Sequence, residues 1–98
     1  MKRRRPDANV YLFELSSDAI RYCNENRSRL GLARAVPLIQ GDVLRGQKAF
    51  ASLPVSDVLL SNPPYIPAGE LPFLQREVQR EPAMALDGGA DGLTFYRC

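Results

Sequence analysis

Histidine is absent from the 98-residue chain, and cysteine occurs only twice, as Cys23 and Cys98. The absence of histidine excludes acid–base catalysis by imidazole and metal sites built on histidine, and we predict no metal site. The two cysteines do not make a disulfide framework, so we expect reduced thiols in a cytoplasmic protein. No apolar run approaches membrane-spanning length, and residues 6–9 lack the apolar core that a signal peptide would need.

Length and charge narrow the class of protein further. The chain is long enough for one small domain at most. Its net charge of +2 does not call for nucleic acid, so we expect no direct nucleic-acid partner and no membrane partner. The dense basic run Lys2–Arg5 is interpreted as the cationic last turn of a helix that Pro6 ends.

The most informative stretch is Ser61–Tyr65, which reads Ser-Asn-Pro-Pro-Tyr. It follows a short apolar run, and we predict a buried strand over Val55–Leu60. Pro63 and Pro64 have no N–H and a fixed φ, so neither a strand ladder nor a helix continues through them. We therefore expect a rigid turn at the end of a strand, with an amide side chain before it and an aromatic ring after it.

The chemistry of this turn suits the binding of a planar –NH2 group. The carbonyl of Pro63 and the side-chain oxygen of Asn62 are two acceptors at a fixed separation, and together they can bind both hydrogens of such a group. The ring of Tyr65 can then cover the flat amide or base. Binding of this kind orients the nitrogen and shifts its electron density toward an activated electrophile.

Hydrophobic periodicity predicts an α/β chain. The order strand, helix, strand and strand, with short connections, is typical of part of an α/β sheet. The predicted elements are strands over Val10–Phe13, Val36–Ile39 and Val55–Leu60, a helix from Ser16 or Ser17 to about Leu30, a loop or short helix around Arg45–Leu53, a helix over Glu70–Arg80, a flexible turn at Gly88, Gly89 and Gly92, and a helix that begins near Leu93.

Polar side chains end all three predicted strands, namely Glu14, Asp42 and Asn62. Ligands of α/β sheets lie at the carboxyl ends of the strands, so these side chains are candidate ligand contacts. The Glu14 carboxylate can accept both hydroxyls of a ribose, or it can cap the following helix. Asp42 can accept from the amino group of adenine while Val43 packs on the ring, or it can be an ordinary turn aspartate.

The string Asn62–Tyr65 resembles the signature of S-adenosylmethionine (SAM)-dependent methyltransferases that act on exocyclic or amide nitrogens. The residues after it are similar to the HemK/PrmC family of protein-(glutamine-N5) methyltransferases, which modify peptide chain release factors. The resemblance covers nearly the whole chain. The residues that carry it are Ile66-Pro67, Leu74, Glu77-Val78, Glu81-Pro82, Ala85–Gly89, Asp91–Leu93 and Tyr96-Arg97.

The resemblance implies part of a Rossmann-like SAM-dependent methyltransferase fold, a mostly parallel sheet with flanking helices. Residues 1–98 would form an incomplete catalytic domain of that kind. The glycine-rich turn that follows the first strand in this fold does not precede Val10. We therefore expect an internal fragment of the catalytic domain that is itself inactive, without that first strand, the C-terminal strands and the N-terminal helical domain.

The resemblance also implies roles for the candidate residues. SAM is the expected cofactor, and the glutamine of a Gly-Gly-Gln motif in a release factor is the expected substrate. Two alternatives stay open: a methyltransferase acting on adenine N6, cytosine N4 or guanine N2, and a remnant without catalysis. The implied catalytic residues are Asn62, Pro63 and Tyr65. The implied substrate contacts are these three residues and Pro64, and the implied cofactor contacts are Glu14, Asp42, Val43 and Asn62. Glu77, Glu81 and Asp87 receive no role.

Overall fold

The computed structural model describes all 98 residues, which form two compact units, residues 1–42 and residues 43–98. None of the helices is both long enough and apolar enough to cross a membrane. The first unit contains strand β1 (Leu12–Glu14), helix α1 (Ser17–Arg29) and strand β2 (Leu38–Gln40). The second contains helices α2 (Arg76–Gln79) and α3 (Ala83–Leu86) and 3-10 helices over Val43–Phe50, Ala68–Phe73 and Thr94–Tyr96.

The first unit is a parallel strand–helix–strand motif, as the hydrophobic pattern predicted. β1 and β2 pair in parallel, with Leu12 opposite Leu38 and Glu14 opposite Gln40. The ladder continues past β2, where the Gly41 N–H donates to the Glu14 carbonyl over 3.0 Å. Val36, which is 4% exposed, is the only hydrophobic residue in the chain that is fully buried.

Helix α1 begins and ends where the sequence predicted. The hydroxyl of Ser16 caps it by accepting from the Ala19 N–H over 3.3 Å, and Asp18 lies in the first turn, where the helix dipole favours an anion. At the other end Gly31 has a φ of 67°, a left-handed conformation that glycine adopts without steric cost.

The basic run at the start of the chain forms a hydrogen-bonded turn. The N–H groups of Arg4 and Arg5 both donate to the Met1 carbonyl over 3.0 Å. The Lys2 ammonium donates to the carbonyls of Pro6 and Ala8. This cation therefore satisfies backbone acceptors at the end of the turn, which is the local role expected of a basic residue there.

The third predicted strand, Val55–Leu60, is not formed, and that prediction was wrong for this structure. The segment has no regular secondary structure, and Val55, Val58, Leu59 and Leu60 are 68–102% exposed. A strand exists only where a neighbour supplies ladder hydrogen bonds. No backbone hydrogen bond joins this segment to another part of the chain, so its apolar pattern has nothing to pair with.

The single helix predicted over Glu70–Arg80 was also wrong, because two short helices occupy this region. A 3-10 helix ends at Phe73, Leu74 is extended with a ψ of 157°, and α2 begins at Arg76. Pro72 lies inside the 3-10 helix and has no N–H, so a continuous α-helical ladder cannot run from Glu70 to Arg80. The predicted apolar face is nonetheless half-buried, and it consists of Leu71, Leu74 and Val78.

Helix α3 was not predicted, and the helix expected near Leu93 is a single 3-10 turn. α3 spans only Ala83–Leu86 and directly follows Pro82. Proline is favourable at the start of a helix, where its missing N–H costs nothing. The 3-10 turn covers Thr94–Tyr96, directly after Leu93.

The exposed apolar segment leads to a prediction about the 98 residues as an isolated chain. With one fully buried hydrophobic residue and an unpaired strand-like segment, the chain has little core and an exposed surface for self-association. We expect a broad thermal transition in circular dichroism and concentration-dependent aggregation. A sharp cooperative transition of a monomer would contradict this expectation.

Candidate cofactor and amide sites

The carboxyl ends of β1 and β2 bring polar side chains together in the first unit. Glu14 is half-buried, and its Oε1 accepts from the backbone N–H groups of Leu15 and Ser16, each over 2.9 Å. Beside it in the ladder, Gln40 donates from Nε2 to the Leu15 carbonyl over 3.1 Å and to the Ser17 hydroxyl over 3.2 Å. The strand ends are thus tied to the start of α1.

Both hydrogen bonds to Glu14 come from backbone N–H groups directly before α1. The carboxylate thus caps the start of this helix, which is one of the two roles predicted for Glu14. These two bonds use only Oε1, and no hydrogen bond within the chain uses Oε2. The carboxylate is therefore oriented by the backbone and still has an oxygen with which to accept from a hydroxyl. Capping and ligand binding are compatible at this residue.

Gln40 is a residue of this strand end that sequence reasoning did not single out. Its position directly after the apolar residues of β2 was the available signal, because such positions lie at the ligand-binding edge of a parallel sheet. Its side-chain amide bridges β2 to the chain segment that follows β1. We assign it the role of holding this strand end together.

The turn after β2 brings Gly41 against the ring of Phe13, so a side chain at this position would require the ring to shift. A Cβ placed on Gly41 would contact the ring of Phe13, lying 2.9 Å from its Cε2 and closer still to Cζ. Asp42, which follows, is half-buried and interacts within the chain. Val43 is half-buried and is the first residue of the 3-10 helix Val43–Phe50. Contacts of Asp42 and Val43 with an adenine stay predictions.

The amide turn, Asn62–Tyr65, lies in the second unit and is open to solvent. Asn62 is exposed, Pro63 and Pro64 are half-buried, and Tyr65 is 61% exposed. No hydrogen bond within the chain uses the Asn62 side chain or the Pro63 carbonyl. Both predicted acceptors are thus available to a ligand. The turn does not follow a strand here, because residues 55–60 are unpaired.

The chain directly after the amide turn is paired with a second segment. Ile66 and Asp87 form a parallel bridge, in which the Ile66 N–H donates to the Leu86 carbonyl over 3.1 Å. The Gly88 N–H donates back to the Ile66 carbonyl over 2.9 Å, and the Ala68 N–H donates to the Gly89 carbonyl over 2.8 Å. These bonds hold the C-terminal side of the amide turn.

The segment Asp87–Gly92, which makes the last two of these bonds, is called the glycine loop below. It was predicted to be a flexible turn, and the structure corrects this, because Gly88 and Gly92 are buried. Gly92 has a φ of 78°, a conformation that favours glycine. The Asp87 carboxylate accepts from the Gly89 N–H over 2.8 Å, which gives Asp87 a local structural role.

An ion pair closes the far end of the glycine loop. The guanidinium of Arg97 donates to both carboxylate oxygens of Asp91, over 3.1 and 2.6 Å, and Oδ1 also accepts from the Leu93 N–H. The Arg97 guanidinium, followed by the Leu93 N–H, lowers the pKa of the Asp91 carboxyl below its ordinary value. Asp91 therefore stays ionised at neutral pH. Glu77 and Glu81 are exposed and have no assigned role.

Known proteins that are similar to this chain agree with the family that its sequence predicted. No protein-family model matches the chain. It is 47% identical over 95 residues to a release factor glutamine methyltransferase of Moorella thermoacetica, and this match covers 94% of the chain. It is 43% identical, over an alignment of 100 positions that covers 99% of the chain, to a release factor glutamine methyltransferase of Geobacter sulfurreducens.

A relative that is named for a different substrate is also similar to the chain. The chain is 38% identical over 95 residues to a ribosomal protein uL3 glutamine methyltransferase of Burkholderia pseudomallei. The chain spans about a third of the length of these curated relatives, 31–32% in each case. Over that third, the chain is a homologue of the glutamine methyltransferases that modify release factors and ribosomal protein uL3, and the family resemblance predicted from its sequence is confirmed.

Proposed function

We propose that this chain carries the substrate-amide site, and part of the cofactor site, of a SAM-dependent protein-(glutamine-N5) methyltransferase. The observation that supports it most directly is the open amide turn within a sequence that is 47% identical to a release factor glutamine methyltransferase. The proposed substrate is the glutamine of a Gly-Gly-Gln motif in a peptide chain release factor.

In this proposal the amide turn binds the side chain of the substrate glutamine. The Asn62 side-chain oxygen and the Pro63 carbonyl accept the two amide hydrogens, and neither acceptor is used within the chain. Pro64 fixes the direction of the backbone, and the exposed ring of Tyr65 packs on the flat amide. Two acceptors on the –NH2 group increase the electron density on nitrogen, which is the atom to be methylated.

The residues proposed for the cofactor fit a nucleoside. The oriented Glu14 carboxylate suits ribose hydroxyls, and the Asp42 carboxylate with the apolar Val43 suits an adenine ring and its amino group. When bound, SAM supplies a methyl group on a sulfonium centre, which is already activated for transfer to nitrogen. The residues of this chain then have to bind and orient, and no strong base is required before transfer.

A second protein substrate deserves a test, because one relative is named for ribosomal protein uL3. Its target is also a glutamine amide, so the amide turn would bind both substrates in the same way. Discrimination between them would rest on surfaces outside the turn. Release factor is the first choice, because the relatives with 41–47% identity carry that name.

The test uses a chimeric enzyme in which these 98 residues replace the stretch that they match in the Moorella thermoacetica relative. Labelled SAM is offered together with release factor, ribosomal protein uL3, duplex DNA and ribosomal RNA in parallel reactions. We expect label in release factor, at the Gly-Gly-Gln glutamine. Label in nucleic acid and in neither protein would refute the glutamine assignment, and label in uL3 alone would select the second substrate.

A further inference from the structure

The glycine loop lies against the backbone of the amide turn at distances that admit no side chain. A Cβ placed on Gly88 would lie 2.8 Å from the Cα of Tyr65 and 2.8 Å from the Gly92 carbonyl oxygen. A Cβ on Gly92 would collide with the Tyr65 carbonyl oxygen and lie 3.3 Å from Cδ of Pro67. Only glycine fits at either position unless the backbone of Tyr65 moves.

We propose that Gly88 and Gly92 are positioning residues for methyl transfer. By contacting Tyr65 directly, they hold the amide turn in the orientation in which its two acceptors face the substrate amide. This inference rests on the proposed function and extends it to a loop outside the proposed substrate and cofactor contacts. It is independent of which protein supplies the glutamine.

The hydrogen bonds within the second unit explain why the turn depends on this loop. On its N-terminal side, residues 55–61 make no backbone hydrogen bond. On its C-terminal side, Ile66 and Ala68 are bonded to Leu86, Gly88 and Gly89. Within this unit the glycine loop and Leu86, the last residue of α3, therefore restrain the turn.

A displacement of the Tyr65 backbone also moves the two acceptors, the Asn62 side-chain oxygen and the Pro63 carbonyl. Pro63 and Pro64 have fixed φ angles, so the turn has fewer backbone rotations with which to absorb a shift. Alanine at position 88 would require the neighbouring backbone to move by several tenths of an ångström, because ordinary contacts of a Cβ begin near 3.4 Å. A misplacement of about 1 Å at a reacting group can reduce the rate about a hundredfold.

The experiment compares Gly88→Ala with Gly69→Ala in the chimeric enzyme. Gly88 does not have a positive φ, so alanine there tests the contact with Tyr65 and not backbone strain. Gly69 lies in the same unit and has no atom within 4 Å of its added Cβ, which makes it the matched control. We expect Gly88→Ala to lower kcat by about tenfold or more. Its affinity for SAM should fall much less than kcat does, since the proposed ribose ligand, Glu14, belongs to the other unit.

Amide hydrogen exchange provides a second measurement that needs no substitution. In the unsubstituted protein, the Ala68 and Gly88 N–H groups should exchange much more slowly than that of Leu59, which has no partner. In Gly88→Ala, protection of Ala68 should fall while that of Leu30, at the end of α1, stays unchanged.

Three outcomes would overturn the inference. A kcat of Gly88→Ala within about twofold of the unsubstituted enzyme would show that the contact does not position the turn. Equal losses of kcat and SAM affinity would show that glycine is needed for folding in general. Equal exchange of Ala68 and Leu59 in the 98-residue chain would show that the loop does not restrain the turn. An unsubstituted chimera that methylates neither protein would instead contradict the proposed function, and so the two failures are distinguishable.

Discussion

Replacing Asn62 by alanine in the chimeric enzyme is expected to lower the rate of glutamine methylation by about a hundredfold or more. The substitution removes one of the two acceptors that orient the substrate amide, and the loss of one preorganised hydrogen bond at a reacting group commonly has an effect of this size. Asn62 is exposed and makes no hydrogen bond within the chain, so its loss should leave the thermal transition unchanged. The measurement is single-turnover methyl transfer at saturating SAM.

Two further variants separate the amide contact from other effects. Asn62→Asp retains an acceptor oxygen at nearly the same position, and it should keep more activity than Asn62→Ala. Asn9→Ala is the matched control, because Asn9 is also exposed, makes no hydrogen bond within the chain and lies in the other unit. An Asn62→Ala enzyme with an unimpaired rate would refute the proposed binding of the amide by two acceptors.

Replacing Glu14 by glutamine is expected to weaken SAM binding by roughly ten- to a hundredfold while leaving the fold intact. Glutamine retains an oxygen that can accept from the Leu15 and Ser16 N–H groups, so the capping bonds are preserved. The other terminal atom becomes an –NH2 group, which cannot accept from a ribose hydroxyl. A hydrogen bond to a charged group contributes about 1.5–3 kcal/mol, which corresponds to this range of affinity.

The comparison with Glu14→Ala distinguishes the two roles of this carboxylate. If Glu14 binds ribose, both variants bind SAM weakly in calorimetric titration, and only Glu14→Ala has a lower melting temperature. If Glu14 serves only as a cap, Glu14→Gln binds SAM like the unsubstituted enzyme, and the assignment to the cofactor fails. Glu25→Ala, an exposed position on α1, is the control for loss of a surface charge.

Elements with strong local signals were predictable from the sequence. Helix α1 has a serine cap, an acidic first turn and a glycine after its end, and each signal acts within a few residues. The two flanking strands were predicted because apolar runs next to such a helix are typical of a parallel strand–helix–strand unit. Their register, with Glu14 beside Gln40, then followed from the structure.

The predictions failed where the structure depends on contacts between distant segments, or where a local signal in the sequence was overlooked. Val55–Leu60 has the composition of a buried strand, but a strand requires a partner, and no segment in this structure pairs with it. Pro72 was a local signal within the predicted helix Glu70–Arg80, and it was underweighted. The fixed conformation of the glycine loop could not be inferred, because neighbouring glycines are equally typical of mobile turns and of close backbone contacts.

The sequence by itself determined the family and supplied the residues of the proposed site. The string Asn62–Tyr65 and the residues after it are covalently adjacent, so their identity and spacing need no fold to be recognised. Only the tertiary structure decided that Gly88 and Gly92 contact the backbone of Tyr65 and that the Gln40 amide is bonded to Leu15 and Ser17. The physical reason is that residues more than twenty positions apart meet only through folding, and a contact between backbones leaves no side-chain pattern in the sequence.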